Sequence, residues 1–155
     1  MHHTLKLLLL LSTLAFARGL AAAEPPTDWI DPDTGHRIIR LSREPDTASL
    51  YFHQNAFSVG GDKMILTSPS GISVIDLATH EIKLVVPGIA YSVTGSSGIE
   101  FGHRTRRIFY QKDGAIWAAN IDTLATQELA KLPAGGAMSA LNADETLVVG
   151  IRTDG

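Results

Sequence analysis

From residue 24 onward, apolar positions fall in short runs of branched and aromatic residues, separated by Gly, Asp and Pro. The runs cover residues 37–41, 51–57, 63–67, 72–76, 83–86, 107–111, 115–121, 127–132 and 147–151. Runs of this length bounded by turn-forming residues predict β-strands. No window holds apolar residues at helical spacing for more than two turns, so the mature chain is expected to be all-β. The two stretches that hint at helix, 76–79 and 122–125, read better as turns.

The runs recur in a fixed order. A charged turn with a strand after it (Gly61-Asp62-Lys63, then 64–67) is followed by a Gly-containing turn and a second strand (Ser70-Gly71, then 72–75). Next comes Ile75-Asp76-Leu77-Ala78-Thr79 and a third strand. The same succession returns at 104–111, at Asp113-Gly114 with 115–121, and at Ile121-Asp122-Thr123-Leu124-Ala125-Thr126, which pairs Asp76 with Asp122. A further copy opens at Asn142-Ala143-Asp144-Glu145. The spacing is roughly 40–46 residues, which with four strands per unit is the signature of β-propeller blades. A blade cannot bury both of its faces alone, so neighbouring blades stack on it. This explains why 115–121 lacks a clean apolar–polar alternation.

Residues 24–155 hold about three blades at this period, whereas closed propellers need at least four. The expectation is an incomplete arc from a longer protein, with an exposed apolar flank on its last blade.

The first residues are not part of that fold. A short basic start, an apolar run over 7–17 with five consecutive leucines, and Ala21-Ala22-Ala23 before Glu24-Pro25-Pro26 form a secretory signal peptide over residues 1–23. The apolar run is too short to span a bilayer. No membrane span is expected after cleavage, and a periplasmic or secreted location follows. The net charge of -3 gives no electrostatic reason to expect nucleic acid as a partner. The absence of cysteine excludes disulfides, thiolate metal sites and thiol nucleophiles.

Propellers bind ligands in or over a central channel lined by the innermost strand of each blade. The innermost strand of the first blade is expected at 50–57, with Tyr51, His53 and Asn55 on one parity and Phe52, Gln54 and Ala56 on the other. Tyr51, His53 and Gln54 are the candidate channel-lining, substrate-binding residues; hydrogen bonding between blades is the competing role. A second inner strand is expected near 88–92 or 98–102, offering Tyr91, Ser92, Glu100 and His103. The basic cluster His103-Arg104-Thr105-Arg106-Arg107 reads as a solvated turn, with polyanionic sugar binding as the sharper alternative. Asp31 and Asp33 open like a calcium loop but lack its downstream ligands, so they read as a turn. No histidine pair has metal-ligand spacing, and no nucleophile elbow or phosphate loop is present. Neither catalytic nor metal-binding residues are expected within this chain.

Three motifs carry a family resemblance. The segment Trp29-Ile30-Asp31-Pro32-Asp33-Thr34-Gly35-His36-Arg37-Ile38-Ile39-Arg40-Leu41-Ser42, the segment Tyr51-Phe52-His53-Gln54-Asn55-Ala56-Phe57-Ser58 with Gly61-Asp62-Lys63, and the turn Ile75-Asp76-Leu77-Ala78-Thr79 resemble the N-terminal part of oligogalacturonate lyases, polysaccharide lyase family 22. The resemblance implies a seven-bladed propeller that cleaves pectin-derived oligogalacturonides by β-elimination. It also implies a manganese-type divalent ion held by histidines and a glutamine, a histidine base and an assisting arginine, all in later blades. His53 stands where the family pattern has another aromatic residue. The competing reading is a non-enzymatic periplasmic propeller of the Tol-associated type that binds a protein partner.

Overall fold

The computed structural model describes Glu24, residues 26–88 and residues 98–153. The expected signal peptide, and Tyr91 and Ser92, lie outside the described residues. Every regular element among the described residues is a β-strand, and no helix there is long and apolar enough to cross a membrane. The chain divides into two compact units, Met1–Arg40 and Leu41–Gly155.

The described part of the first unit is one hairpin. Strands β1 (Asp28–Ile30) and β2 (Arg37–Ile39) pair antiparallel, with Trp29 opposite Ile38. An ion pair between Arg37 and Asp28 lies along its exposed side.

The second unit contains two four-stranded antiparallel meanders whose strands neighbour one another in chain order. The first meander comprises β3 (Ala48–Ser49), β4 (Lys63–Ser68), β5 (Gly71–Asp76) and β6 (Ile82–Pro87). The second comprises β7 (Ile99–Phe101), β8 (Arg107–Lys112), β9 (Ala115–Asn120) and β10 (Thr126–Lys131). A two-stranded sheet of β11 (Gly136–Leu141) and β12 (Val148–Arg152) follows.

The second meander is buried on both faces. Ile108, Tyr110 and Ala119 join Ile65, Ile72, Val74, Val85 and Val86 of the first meander in one core cluster. Phe109, Ile116 and Ala118, of opposite parity, meet Met138 and Leu141 of β11 in another. Two-sided burial accounts for the missing alternation in β9, because both parities of such a strand are apolar. The apolar flank expected on the last repeat is present: Val149 and Ile151 of the third sheet, and Leu147 just before it, are exposed.

Backbone hydrogen bonds fix the register of the repeat. In one turn Ser58, Gly102 and Asn142 are equivalent: their amides bond to the carbonyls of Lys63, Arg107 and Leu147. In the other, Asp31, Asp76 and Asn120 are equivalent, bonding to His36, Glu81 and Ala125. Each of these three side chains accepts amide bonds two and three residues on: Asp33 and Thr34, Ala78 and Thr79, Asp122 and Thr123. Each turn then places a residue in the left-handed region, namely Gly35 (φ 71°), His80 (φ 62°) and Leu124 (φ 62°). Asp76 therefore pairs with Asn120 rather than with Asp122. Asparagine makes the same local bond as aspartate, and so the recurring Asp-Leu-Ala-Thr pattern misleads by two residues. The third copy, at Asp31, is not obvious from the letters alone.

Candidate functional site

The segment expected as an inner strand at 50–57 is largely a turn. The edge strand β3 ends earlier, at Ser49, and only Phe57 bridges β4, at Met64. Gln54 is the cause. Its amide nitrogen donates to the Tyr51 carbonyl at 2.9 Å, and its side-chain Oε1 accepts from the Tyr51 amide at 3.0 Å. These two bonds close the chain on itself, which an extended strand cannot allow. The Gln54 side chain is 6% exposed, and its Nε2 donates to the Ile99 carbonyl at 3.3 Å. Asn55 continues the attachment to β7: its Nδ2 donates to the Phe101 carbonyl, and its own carbonyl accepts from the Phe101 amide.

The turn presents three rings. Tyr51 lies 4.5 Å from Phe52 and 5.2 Å from His53, centroid to centroid, and Phe52 is 85% exposed. Tyr51 and His53 are thus brought together at the surface, while Gln54 is a buried brace beneath them. The rings offer flat apolar faces beside one imidazole and one phenol, groups able to stack on a sugar ring and hydrogen-bond its hydroxyls.

Of the two positions expected for a second inner strand, 89–92 lies outside the described residues and 98–102 holds a strand, β7. Its Glu100 is buried and accepts from the Leu141 amide at 2.8 Å, tying β7 to β11. His103 is exposed at the start of the next turn.

The basic cluster is more than a solvated turn. Arg106 reaches Asp62 at 2.9 Å and Asp122 at 2.8 Å, bridging turns of the two meanders. Its hydrogen bonds, followed by that from Ser58, hold the Asp62 carboxyl at about 2. The bonds it donates to Asp122 and Asp62 raise Arg106 above its ordinary value. Lys63 pairs with Asp76, and Lys83 donates to the Ile121 and Asp122 carbonyls at 3.0 and 3.1 Å. Arg107 lies over the Phe109 ring and 3.4 Å from Glu145.

In the sequence Glu145 reads only as part of the turn that opens the further copy. It comes from the turn before β12, yet it accepts from the Arg104 amide at 2.6 Å, the Thr105 amide at 2.8 Å and the Thr105 hydroxyl at 2.6 Å. Burial pushes its carboxyl up, but the donors outweigh burial and hold it below the usual range. A Cβ on Gly102 would lie 2.5 Å from Glu145 Oε1. Where the other copies carry a capping Ser58 or Asn142, this turn has a glycine and a carboxylate reaching over from the next sheet. The absence of a side chain at Gly102 was the available signal.

Asp31 spends its carboxylate on the amides of its own turn, in keeping with a turn rather than a calcium loop. Among the described residues no three His, Asp or Glu side chains converge to hold a metal ion. These residues therefore do not fit a manganese-type site.

The geometry defines the class first: an all-β protein built from sequential four-stranded meanders, with a ring-bearing turn anchored on the neighbouring sheet. Solved structures then narrow the likeness. The oligogalacturonate lyase of Vibrio parahaemolyticus is similar with a TM-score of 0.65 at 20% identity, over 79% of this chain and 34% of that one. An oligogalacturonate lyase in complex with manganese is similar with a TM-score of 0.66 at 23% identity, over the same shares. This chain spans about a third of the length of those proteins. No protein-family model and no curated protein matches the sequence.

Proposed function

We propose that this chain is the N-terminal part of an exported β-propeller that cleaves oligogalacturonides, or a related uronide, by β-elimination. The observation that carries this reading is the fold similarity over 79% of the chain to two oligogalacturonate lyases. The strand order supports the propeller: consecutive meanders at a near-constant spacing, with the second covered on both faces, are what stacked blades require. The leader over residues 1–23 supports export.

In the reaction a base removes the weakly acidic proton on the carbon next to the uronate carboxylate, and the glycosidic oxygen leaves. The share of this chain is binding. Tyr51 and His53 line the substrate channel, and Gln54 fixes the turn that presents them. The base and the metal ligands belong to later blades.

The test is a titration of the isotope-labelled chain with trigalacturonate, followed by amide resonances. Saturable shifts centred on residues 51–54, absent with neutral trigalactose, are expected. Shifts confined to the turns at Asp31, Asp76 and Asn120, or none at all, would overturn the binding role.

A further inference from the structure

The turn between β8 and β9 carries chemistry that the lyase reading leaves untouched. It is a two-residue loop, Asp113-Gly114, closed by the pair Lys112 and Ala115. Both loop residues have positive φ, 50° for Asp113 and 69° for Gly114, which makes the type I′ turn that Asp-Gly favours. Both are exposed. β8 and β9 are the two central strands of their sheet. A turn joining them lies on neither an edge nor a face, so the stacking of a further sheet does not cover it.

An aspartate followed by glycine can close a five-membered imide. The glycine amide nitrogen attacks the side-chain carbonyl carbon, a carbon–nitrogen bond forms, and the carboxyl hydroxyl leaves as water with the amide proton. Water then opens the imide at either carbonyl. Opening at the side-chain carbonyl restores aspartate. Opening at the main-chain carbonyl leaves isoaspartate, whose backbone runs through the former side chain and is one carbon longer. Water is the only other reagent.

Three features of this turn favour the closure. The Asp113 carboxyl has no hydrogen-bond or ion-pair partner among the described residues, whereas those of Asp31, Asp62, Asp76 and Asp122 are spent on turn amides or on basic side chains. Gly114 has no side chain to obstruct attack, and nothing lies within 4 Å of where a Cβ would stand. The four other aspartates are followed by Pro32, Lys63, Leu77 and Thr123. Finally, ring closure takes the geometry of the first central residue of a type II′ turn, with φ and ψ of roughly +60° and −120°. Asp113 already has that φ, so only the peptide plane between Asp113 and Gly114 has to turn over. Neither the carbonyl nor the amide of that plane makes a hydrogen bond among the described residues. Glycine takes either sign of φ, and type II′ closes a two-residue hairpin as type I′ does. The strands therefore stay paired while the plane turns.

We propose that Asp113 is a site of spontaneous imide formation and backbone isomerisation within the folded chain. The product lengthens the backbone between Lys112 and Ala115. It does so beside the Trp117 indole bond to the Lys112 carbonyl and the Leu132 amide bond to the Gly114 carbonyl. The site is independent of the lyase reading.

The test incubates the chain in warm neutral buffer and digests it. The peptide holding Asp113 is resolved by chromatography and by electron-transfer fragmentation, which distinguishes isoaspartate from aspartate. Isoaspartate is expected to build up at Asp113 and not at Asp31, Asp62, Asp76 or Asp122. Its rate should be unchanged by urea too dilute to unfold the chain. Asp113→Asn keeps the turn preference, since Asn-Gly also favours type I′, and closes the same imide with loss of ammonia. It should convert faster, read as the mass gain of amide-to-acid conversion. Absence of conversion in the folded chain, over the time the urea-unfolded chain takes to convert, overturns the proposal. So does a rate that climbs with dilute urea, which marks a reaction through the opened hairpin. An Asp113→Asn chain that keeps its amide overturns it as well.

Discussion

Replacing Glu145 tests the tie between the second meander and the third sheet. Its side chain is 4% exposed and receives two amide bonds and one hydroxyl bond of 2.6–2.8 Å from the neighbouring turn. A hydrogen bond to a charged group contributes about 1.5–3 kcal/mol. Three such bonds to one carboxylate are not additive, and the Arg104 amide, near solvent, regains water when freed. Glu145→Ala is therefore expected to lower the unfolding free energy by about 2–4 kcal/mol. Glu145→Gln keeps an oxygen for the two amides and loses the charge facing Arg107, so about half that loss is expected. Urea unfolding followed by the fluorescence of Trp117, whose indole nitrogen donates to the Lys112 carbonyl, reads both. The sign of the pH dependence follows from the depressed carboxyl. Its contribution is present above the unfolded-state value and is lost as pH falls through the lower folded one. Wild type and Glu145→Gln should thus converge in acid. A loss below about 0.5 kcal/mol for Glu145→Ala, typical of a surface substitution, would refute the bracing role.

Other expectations follow from the same geometry. Gly71 has φ 137° and an added Cβ would lie 2.1 Å from the Val86 carbonyl oxygen, so Gly71→Ala should cost more than about 2 kcal/mol in urea unfolding. Gln54→Leu leaves the Ile99 carbonyl and the Tyr51 amide without that side chain and should cost about 1–3 kcal/mol, with the Tyr51 amide exchanging its hydrogen faster. The Asp62 carboxyl should titrate at about 2 by carbon NMR and move up toward 3.8 in Arg106→Gln; the stability it lends is present above 3.8 and fades as pH falls toward about 2. Because the ions of this pair are partly exposed, its loss at neutral pH should stay below about 1 kcal/mol.

The strands were legible because their apolar runs are short and the punctuation between them is regular. The repeat was legible in outline, and its register was not. Asp76 and Asn120 do the same work with different letters, while Asp122, two residues on, carries the letter that matches and turns instead toward Arg106. The turn at Tyr51 reads as a strand in the sequence because aromatic residues favour strands. Its conformation is decided by the Gln54 side chain, which bonds the backbone of its own turn and the Ile99 carbonyl 45 residues away. The reach of Glu145 is hidden in the sequence for a related reason. Its partners are about 40 residues distant, and no local pattern distinguishes it from a solvated turn residue.

The most direct test of the central claim is the ultraviolet absorbance of unsaturated uronide. The whole protein that carries this chain, supplied with manganese and trigalacturonate, should produce a steady rise, and Tyr51→Ala with His53→Ala should raise KM more than they lower kcat. No absorbance change with any oligogalacturonide or related uronide would contradict the lyase reading.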